Sequence, residues 1–206
     1  MELIRVAEGQ AEEAAQVLAT SFADYPFLKR SLAGATEPVE AMTLLLFRIA
    51  VRYRLSAAYP VLGASEGGRI VGVANLTPPP SDGPDVDWGE TWEEFDSKLS
   101  QSGRAYMDEY ERVQAEAKPK EPHVYVTAIG VMPGNQGRGI GRALLDAASE
   151  YAKSLDVAGI ALDTHDQGNV EKYRSLGFEL IAVTKVLHLQ NYYFWRPCRA
   201  RMDGSD

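Results

Sequence analysis

The chain predicts an α/β fold, an α+β mixed sheet of six or seven strands flanked by helices, and three features predict it. A β-rich run at residues 123–129 passes through a glycine-bearing loop straight into a long amphipathic helix. A hairpin is marked by Gly67-Gly68 between two strand-like runs. A second strand and a short helix follow at residues 159–164 and 169–178, so strands and helices alternate along the chain.

Taken in order, residues 2–6 read as a strand. Residues 10–22 place Ala14, Ala15, Val17, Leu18 and Phe22 at helical spacing. Residues 38–55 form a second helix, with Pro38 suited to its first turn. The hairpin pairs residues 60–65 with 69–77, because Gly-Gly suits a tight primed turn. Pro78-Pro79-Pro80-Ser81-Asp82-Gly83-Pro84 breaks the sheet pattern. Residues 89–117 then read as one or two amphipathic helices, so that about 80–117 is a helical insertion over one end of the sheet. In the helix after the glycine loop, Ile140, Ala143, Leu144, Ala147, Ala148 and Tyr151 share one buried stripe. Residues 159–164 are a buried strand, Gly177 closes the short helix after it, and Tyr192-Tyr193-Phe194-Trp195-Arg196-Pro197 is a closing strand.

The bulk numbers suit one domain spanning residues 1–206. Hydrophobic content of 45% and charged content of 24% are those of an ordinary globular chain. The apolar run at residues 42–47 ends at Arg48, too short to cross a bilayer, and the N-terminus lacks a secretory pattern. A single cysteine, Cys198, leaves no internal disulfide and agrees with a reducing cytoplasm. A net charge of −8, without a basic run, argues against nucleic acid as a partner.

The loop Val131-Met132-Pro133-Gly134-Asn135-Gln136-Gly137-Arg138-Gly139-Ile140-Gly141-Arg142 carries the chemistry. Its glycines let backbone amides approach a ligand closely. They lie at a helix N-terminus, where unpaired N–H groups and the dipole attract anions, and Arg138 and Arg142 add positive charge. A dinucleotide fingerprint needs glycine at position 142, and a nucleotide P-loop needs Gly-Lys-Ser/Thr where Gly139-Ile140-Gly141 stands. The pattern that fits, Gln136-x-x-Gly139-x-Gly141 after Val131-x-Pro133, resembles the acetyl-CoA loop of the GNAT acetyltransferase superfamily. Asn169-x-x-x-Tyr173-x-x-x-Gly177-Phe178 is similar to the last segment of that fold. Phe22-Ala23-Asp24-Tyr25-Pro26 and Pro119-Lys120-Glu121-Pro122 further resemble puromycin N-acetyltransferase and its relatives.

The resemblance implies two central parallel strands that splay to admit a pantetheine arm. It implies that the backbone N–H of Ile129 faces the thioester oxygen and that Val131 and its neighbours bind the pantetheine amides. Gln136, Gly137, Arg138, Gly139, Ile140, Gly141 and Arg142 would hold the pyrophosphate, Asn169 would face pantetheine, and Tyr173 would protonate the sulfur. Some relatives carry a glutamate base where Tyr125 stands here. A water relay, a low-pKa acceptor amine, or His165 with its titration near neutrality are the alternatives. Tyr25, Tyr125 and His165 are candidates for the acceptor side. The acidic start of the insertion (Asp85, Asp87, Glu90, Glu93 and Glu94, with Trp88 and Trp92) reads equally as a solvated helix start or as a cation receptor. His123 and His188 lack ligand spacing, so no metal is expected, and Cys198 lacks an activating neighbour.

The expected activity is transfer of the acetyl group of acetyl-CoA, as cosubstrate, to a primary amine of a small molecule by direct attack in a ternary complex. Expected partners are that amine, with neither nucleic acid nor membrane, and a homodimer is left open. The competing readings are a protein or peptide acetyltransferase, a longer-chain acyl donor, and a catalytically weak CoA-binding sensor.

Overall fold

Alternation of short strands with amphipathic helices resolves, in a computed structural model describing residues 1–79 and 89–198, into one seven-stranded mixed sheet with helices on both faces. The elements are β1 (Glu2–Arg5), α1 (Ala11–Ser21), α2 (Pro26–Ser31), α3 (Val39–Ser56), β2 (Val61–Glu66) and β3 (Arg69–Thr77). After the insertion helices α4 (Gly89–Lys98) and α5 (Gln101–Ala117) come β4 (His123–Val131), α6 (Ile140–Ser154) and β5 (Gly159–Thr164). The chain ends with α7 (Val170–Ser175), β6 (Glu179–Val186) and β7 (Leu189–Pro197). The strand order is β1-β2-β3-β4-β5-β7-β6. Neighbours are antiparallel except β4 and β5.

The expected elements appear within about three residues of their sequence positions, and the insertion resolves into two helices. Ser100 separates them: its hydroxyl accepts the Gly103 N–H at 3.1 Å as the cap of α5. Helix α2 is an addition to the sequence reading. Pro26 sits in its first turn, and six residues are too few to show a period. Of the acidic insertion start, Asp85, Asp87 and Trp88 lie outside the described residues, as do residues 80–84 of the proline-rich break.

Each face of the sheet buries its own core. Helices α1 to α5 cover one face, where Leu18, Phe47, Ile49, Val73, Phe95 and Val113 are buried. Helix α6 covers the other through Ile140, Leu144 and Ala148, packed with Leu162, Phe178 and Phe194. Burial of each such large side chain stabilises the fold by about 1.5–3 kcal/mol. The insertion closes tightly on the first face, since a Cβ at Gly103 of α5 would come 2.3 Å from the Ser31 carbonyl oxygen of α2. Gly103→Ala is therefore expected to cost about 1–3 kcal/mol of stability, as overpacking does. A thermal melt reads the effect, and an unchanged melting temperature would show that α5 packs loosely.

One irregularity in the sheet positions the site. Asn75 of β3 pairs Ala128 and Leu76 pairs Val126, so Thr127 has no partner on β3. This bulge re-aims the strand. Tyr125, Thr127 and Ala128 are turned toward the α3 and α5 side, while Val126 and Ile129 face the α6 side.

Candidate active site

Strands β4 and β5 pair only through His123↔Gly159, Val124↔Ile160 and Tyr125↔Ala161. Beyond that point β5 stays with β7 up to Thr164, and β4 runs on to Val131 beside β3. The strands part there, and a cavity of about 860 Å³ opens between them, lined by residues 126–131 on one side and 162–165 on the other. The splay inferred from resemblance is thus present in the backbone.

At one end of the gap is the glycine loop. Gln136 closes it by donating from Nε2 to the Val131 carbonyl at 3.2 Å. Gly137 and Gly139 adopt φ of +75° and +80°, and Gly139 caps α6. A Cβ added at Gly134, Gly137, Gly139 or Gly141 would meet nothing within 4 Å. The first-turn N–H groups of α6 (Ile140, Gly141 and Arg142) have no intrahelical acceptor. An open concavity, exposed amides and a dipole end fit a diphosphate. The charge of Arg138 is offset, since its guanidinium binds both oxygens of Glu66 at 2.9 Å. Arg142 reaches the Ser175 carbonyl of α7 at 3.4 Å. The loop's attraction for an anion therefore rests on backbone amides more than the sequence implied.

Helix α7 brings Tyr173 to the cavity wall, where its ring packs against Phe178 at 5.8 Å and Phe194 at 5.3 Å. Burial, and then the Asp163 anion, push its hydroxyl well above the ordinary phenol range. Asn169, just before α7, also lines the cavity and donates to Thr164 Oγ1 at 3.4 Å.

On the opposite face the sequence candidates separate. Tyr25 and His165 meet: the Tyr25 hydroxyl accepts the His165 backbone N–H at 2.8 Å and lies 3.3 Å from Nδ1. His165 stacks on Phe27 at 4.7 Å, and burial pulls its pKa down to about 4. It is a neutral imidazole at physiological pH and a weak proton acceptor, which counts against it as a base. Tyr125 is buried at 3% exposure and does not line the cavity. Its hydroxyl donates instead to Asp163 Oδ1.

Asp163 is the site residue that sequence reading missed. It lines the cavity from β5, with Tyr110 donating to it at 3.2 Å and Gln114 at 3.4 Å. Its one visible signal was a charge inside a strand that is otherwise buried. From the insertion, Trp92, Phe95, Met107 and Tyr110 also line the cavity. Glu93 and Glu94 are exposed and do not line it. Arg54 of α3 is buried without an ion pair among the described residues, donating to the Ala50 carbonyl and the Thr77 and Thr127 hydroxyls. Desolvation lowers its pKa to about 10, so it keeps its charge. Cys198 lies off the cavity wall, and burial raises its thiol pKa. Among the described residues no cluster of His, Cys, Asp and Glu has a metal-binding arrangement, and no helix is long and apolar enough to cross a membrane.

Residues 25–178 match the family model of the acetyltransferase (GNAT) family. Solved structures share the fold at low identity. One, from Corynebacterium glutamicum, described as a histone acetyltransferase and related acetyltransferase, is 21% identical with a TM-score of 0.69, covering 95% of this chain and 94% of its own. The Drosophila melanogaster polyamine N-acetyltransferase, which forms N-acetylagmatine, is 18% identical with a TM-score of 0.66, over 95% and 99% of the two chains. A ribosomal-protein-alanine N-acetyltransferase from Brucella melitensis is 16% identical with a TM-score of 0.56, over 96% and 99%. At these identities the likeness is one of fold, and the three differ in what they acetylate.

Proposed function

The chain belongs to the acetyltransferase (GNAT) family, and on that premise we propose that it transfers the acetyl group of acetyl-CoA to a primary amine of a small molecule, by direct attack within a ternary complex. The observation that carries this reading is the cavity at the splay, which Gln136 of the glycine loop lines together with residues of β4, β5 and α7. The glycine loop, Asn169 and Tyr173 stand at its α6 and α7 side. An aromatic chamber roofed by α4 and α5 stands at the other side. Two reactants entering from opposite faces would meet between β4 and β5, where proximity alone contributes a large share of the rate.

Bound acetyl-CoA supplies an activated acyl thioester, and the remaining tasks fall to the chain. The amides at the start of α6 hold a diphosphate, and Val131 offers strand-edge hydrogen bonds. Ile129 follows the β4 bulge, where a backbone N–H can turn to the oxygen on which charge develops. The Tyr173 hydroxyl holds a proton for the departing sulfur. A peptide acceptor would need an extended groove, and the insertion helices cover the region where one would lie. The Drosophila protein's small acceptor is in keeping with a small amine here.

Acceptor profiling tests the reading. Purified protein, acetyl-CoA and panels of small primary amines and of peptides are compared by release of free thiol. Turnover is expected with small amines only. Turnover confined to peptides would replace the acceptor class, and no turnover despite acetyl-CoA binding would favour a sensor.

A further inference from the structure

The Asp163 carboxylate lies on the cavity wall, and its hydrogen-bond partners are all neutral. The Tyr125 hydroxyl donates to Oδ1, the Tyr110 hydroxyl lies 3.2 Å from Oδ1 and 3.4 Å from Oδ2, and Gln114 Nε2 lies 3.4 Å from Oδ1. Among the described residues no Lys, Arg or His forms an ion pair with it. Lys118 feels the Asp163 charge but forms no ion pair, sitting over the Tyr125 ring at 4.1 Å, and Arg54 is directed at a carbonyl and two threonine hydroxyls. Taking a carboxylate out of water is costly unless a counter-charge arrives. Its field is felt around the site, since the phenols of Tyr25, Tyr110 and Tyr125 are all raised by burial and then by this anion.

Around the carboxylate the chamber is aromatic. Phe27 stacks on His165 at 4.7 Å and meets Tyr110 at 4.9 Å, while Phe22 meets both Tyr25 and Phe47 at 5.0 Å. Phe22, Tyr25, Trp92 and Tyr110 are each only partly buried, so ring surface remains open to the cavity. Because the His165 ring is neutral, it offers an uncharged plate and does not compete for the carboxylate.

We propose that Asp163 anchors the acceptor's ammonium group, and that the acceptor is a primary amine, protonated at neutral pH, carried on an aromatic body. This rests on the acetyltransfer reading and narrows its acceptor class. The carboxylate supplies the charge-assisted contact and the rings take the body by stacking and by cation–π contact at the ammonium end. The ammonium form binds, one proton then passes to solvent, and the neutral amine adds to the thioester carbon; as the carbon–sulfur bond breaks the sulfur takes the Tyr173 proton, and the amine's second proton restores the phenol. Tyr125, off the cavity wall, and Tyr110 and Gln114, on it, are positioning residues that hold the carboxylate. An aliphatic diamine satisfies the carboxylate and leaves the rings unused. An aniline stacks but brings no charge.

The test compares tryptamine, putrescine and aniline as acceptors for the wild type, Asp163→Asn and Tyr125→Phe. Calorimetry of tryptamine and of tryptophol, which has the same indole body with a hydroxyl in place of the amine, gives a readout that needs no turnover. The wild type should bind tryptamine about 30-fold more tightly than tryptophol, the scale of a charge-assisted contact, and prefer tryptamine over putrescine and aniline by about tenfold or more in kcat/KM. Asp163→Asn should abolish the difference between tryptamine and tryptophol, and should lower kcat/KM for tryptamine about tenfold more than for aniline. Tyr125→Phe should weaken tryptamine by only about 3- to 10-fold. Equal wild-type affinity for tryptamine and tryptophol overturns the anchor, even if Asp163→Asn does not fold. A loss in Asp163→Asn that is equal for tryptamine and aniline also overturns it, in favour of a structural role. Absence of turnover alongside charge-selective binding would sink the acetyltransfer reading and leave the anchor standing.

Discussion

Gly139→Val is expected to weaken acetyl-CoA binding by about 100-fold or more, with the protein still folded. Gly139 caps α6 at φ +80°, a left-handed conformation that a β-branched residue adopts only at a cost of about 1–3 kcal/mol. The added atoms meet no protein neighbour within 4 Å. The fold can therefore absorb the strain by moving an exposed loop. What the substitution removes is the concavity, together with the alignment of the α6 amides that would face a diphosphate. A charge-assisted hydrogen bond from one such amide is worth about 1.5–3 kcal/mol, so the removal of two accounts for the expected factor. Calorimetric titration with acetyl-CoA measures the weakening, and a thermal melt within a few degrees of wild type confirms that folding is intact. Unaltered affinity would sink the assignment of this loop as the diphosphate site.

The conformation of the glycine loop was legible in the sequence because its signals are local. Strand, turn, positive-φ glycines and helix N-terminus are consecutive residues, and their spacing alone separates the nucleotide-binding alternatives. The paired segment at Asn169 and Tyr173 was legible for the same reason. The acidic and aromatic side of the cavity is assembled from distant segments and was not. Asp163 gains its meaning from Tyr125 on the neighbouring strand and from Tyr110 and Gln114, one helical turn apart on α5. None of these contacts leaves a mark in local periodicity. Tyr125 illustrates the limit. At the position where some relatives carry a glutamate, it read as a missing base, yet its hydroxyl supports a carboxylate contributed by β5. That carboxylate stands on the neighbouring strand, and only the contact between β4 and β5 reveals it. Arg138 shows another nonlocal contact. Its charge was counted toward the ligand, and Glu66 at the end of β2 takes it up.

Tyr173→Phe should lower kcat by about 100-fold while leaving the KM for acetyl-CoA within about twofold, the pattern of a group needed for chemistry and not for binding. The variant keeps the ring and its contacts with Phe178 and Phe194, so little stability is at stake. The direction of the Tyr173 shift sharpens what is being tested. A phenol near ~10 and a thiol near ~8.5 would differ by little more than a unit. Burial and the Asp163 anion both raise the Tyr173 value, which widens that gap. The proton is thereby held throughout the neutral range, so Tyr173 adds no alkaline limb to kcat until the pH passes its raised value, above ~10. Handing the proton over becomes correspondingly harder, and the transfer gains only as the sulfur bond breaks and the sulfur acquires charge. A wild-type rate in Tyr173→Phe across the pH range would mean that the sulfur departs as a thiolate and takes its proton from water. Tyr173 would then be a packing residue beside the pantetheine path, and the splayed cavity would catalyse by proximity and the β4 amide alone.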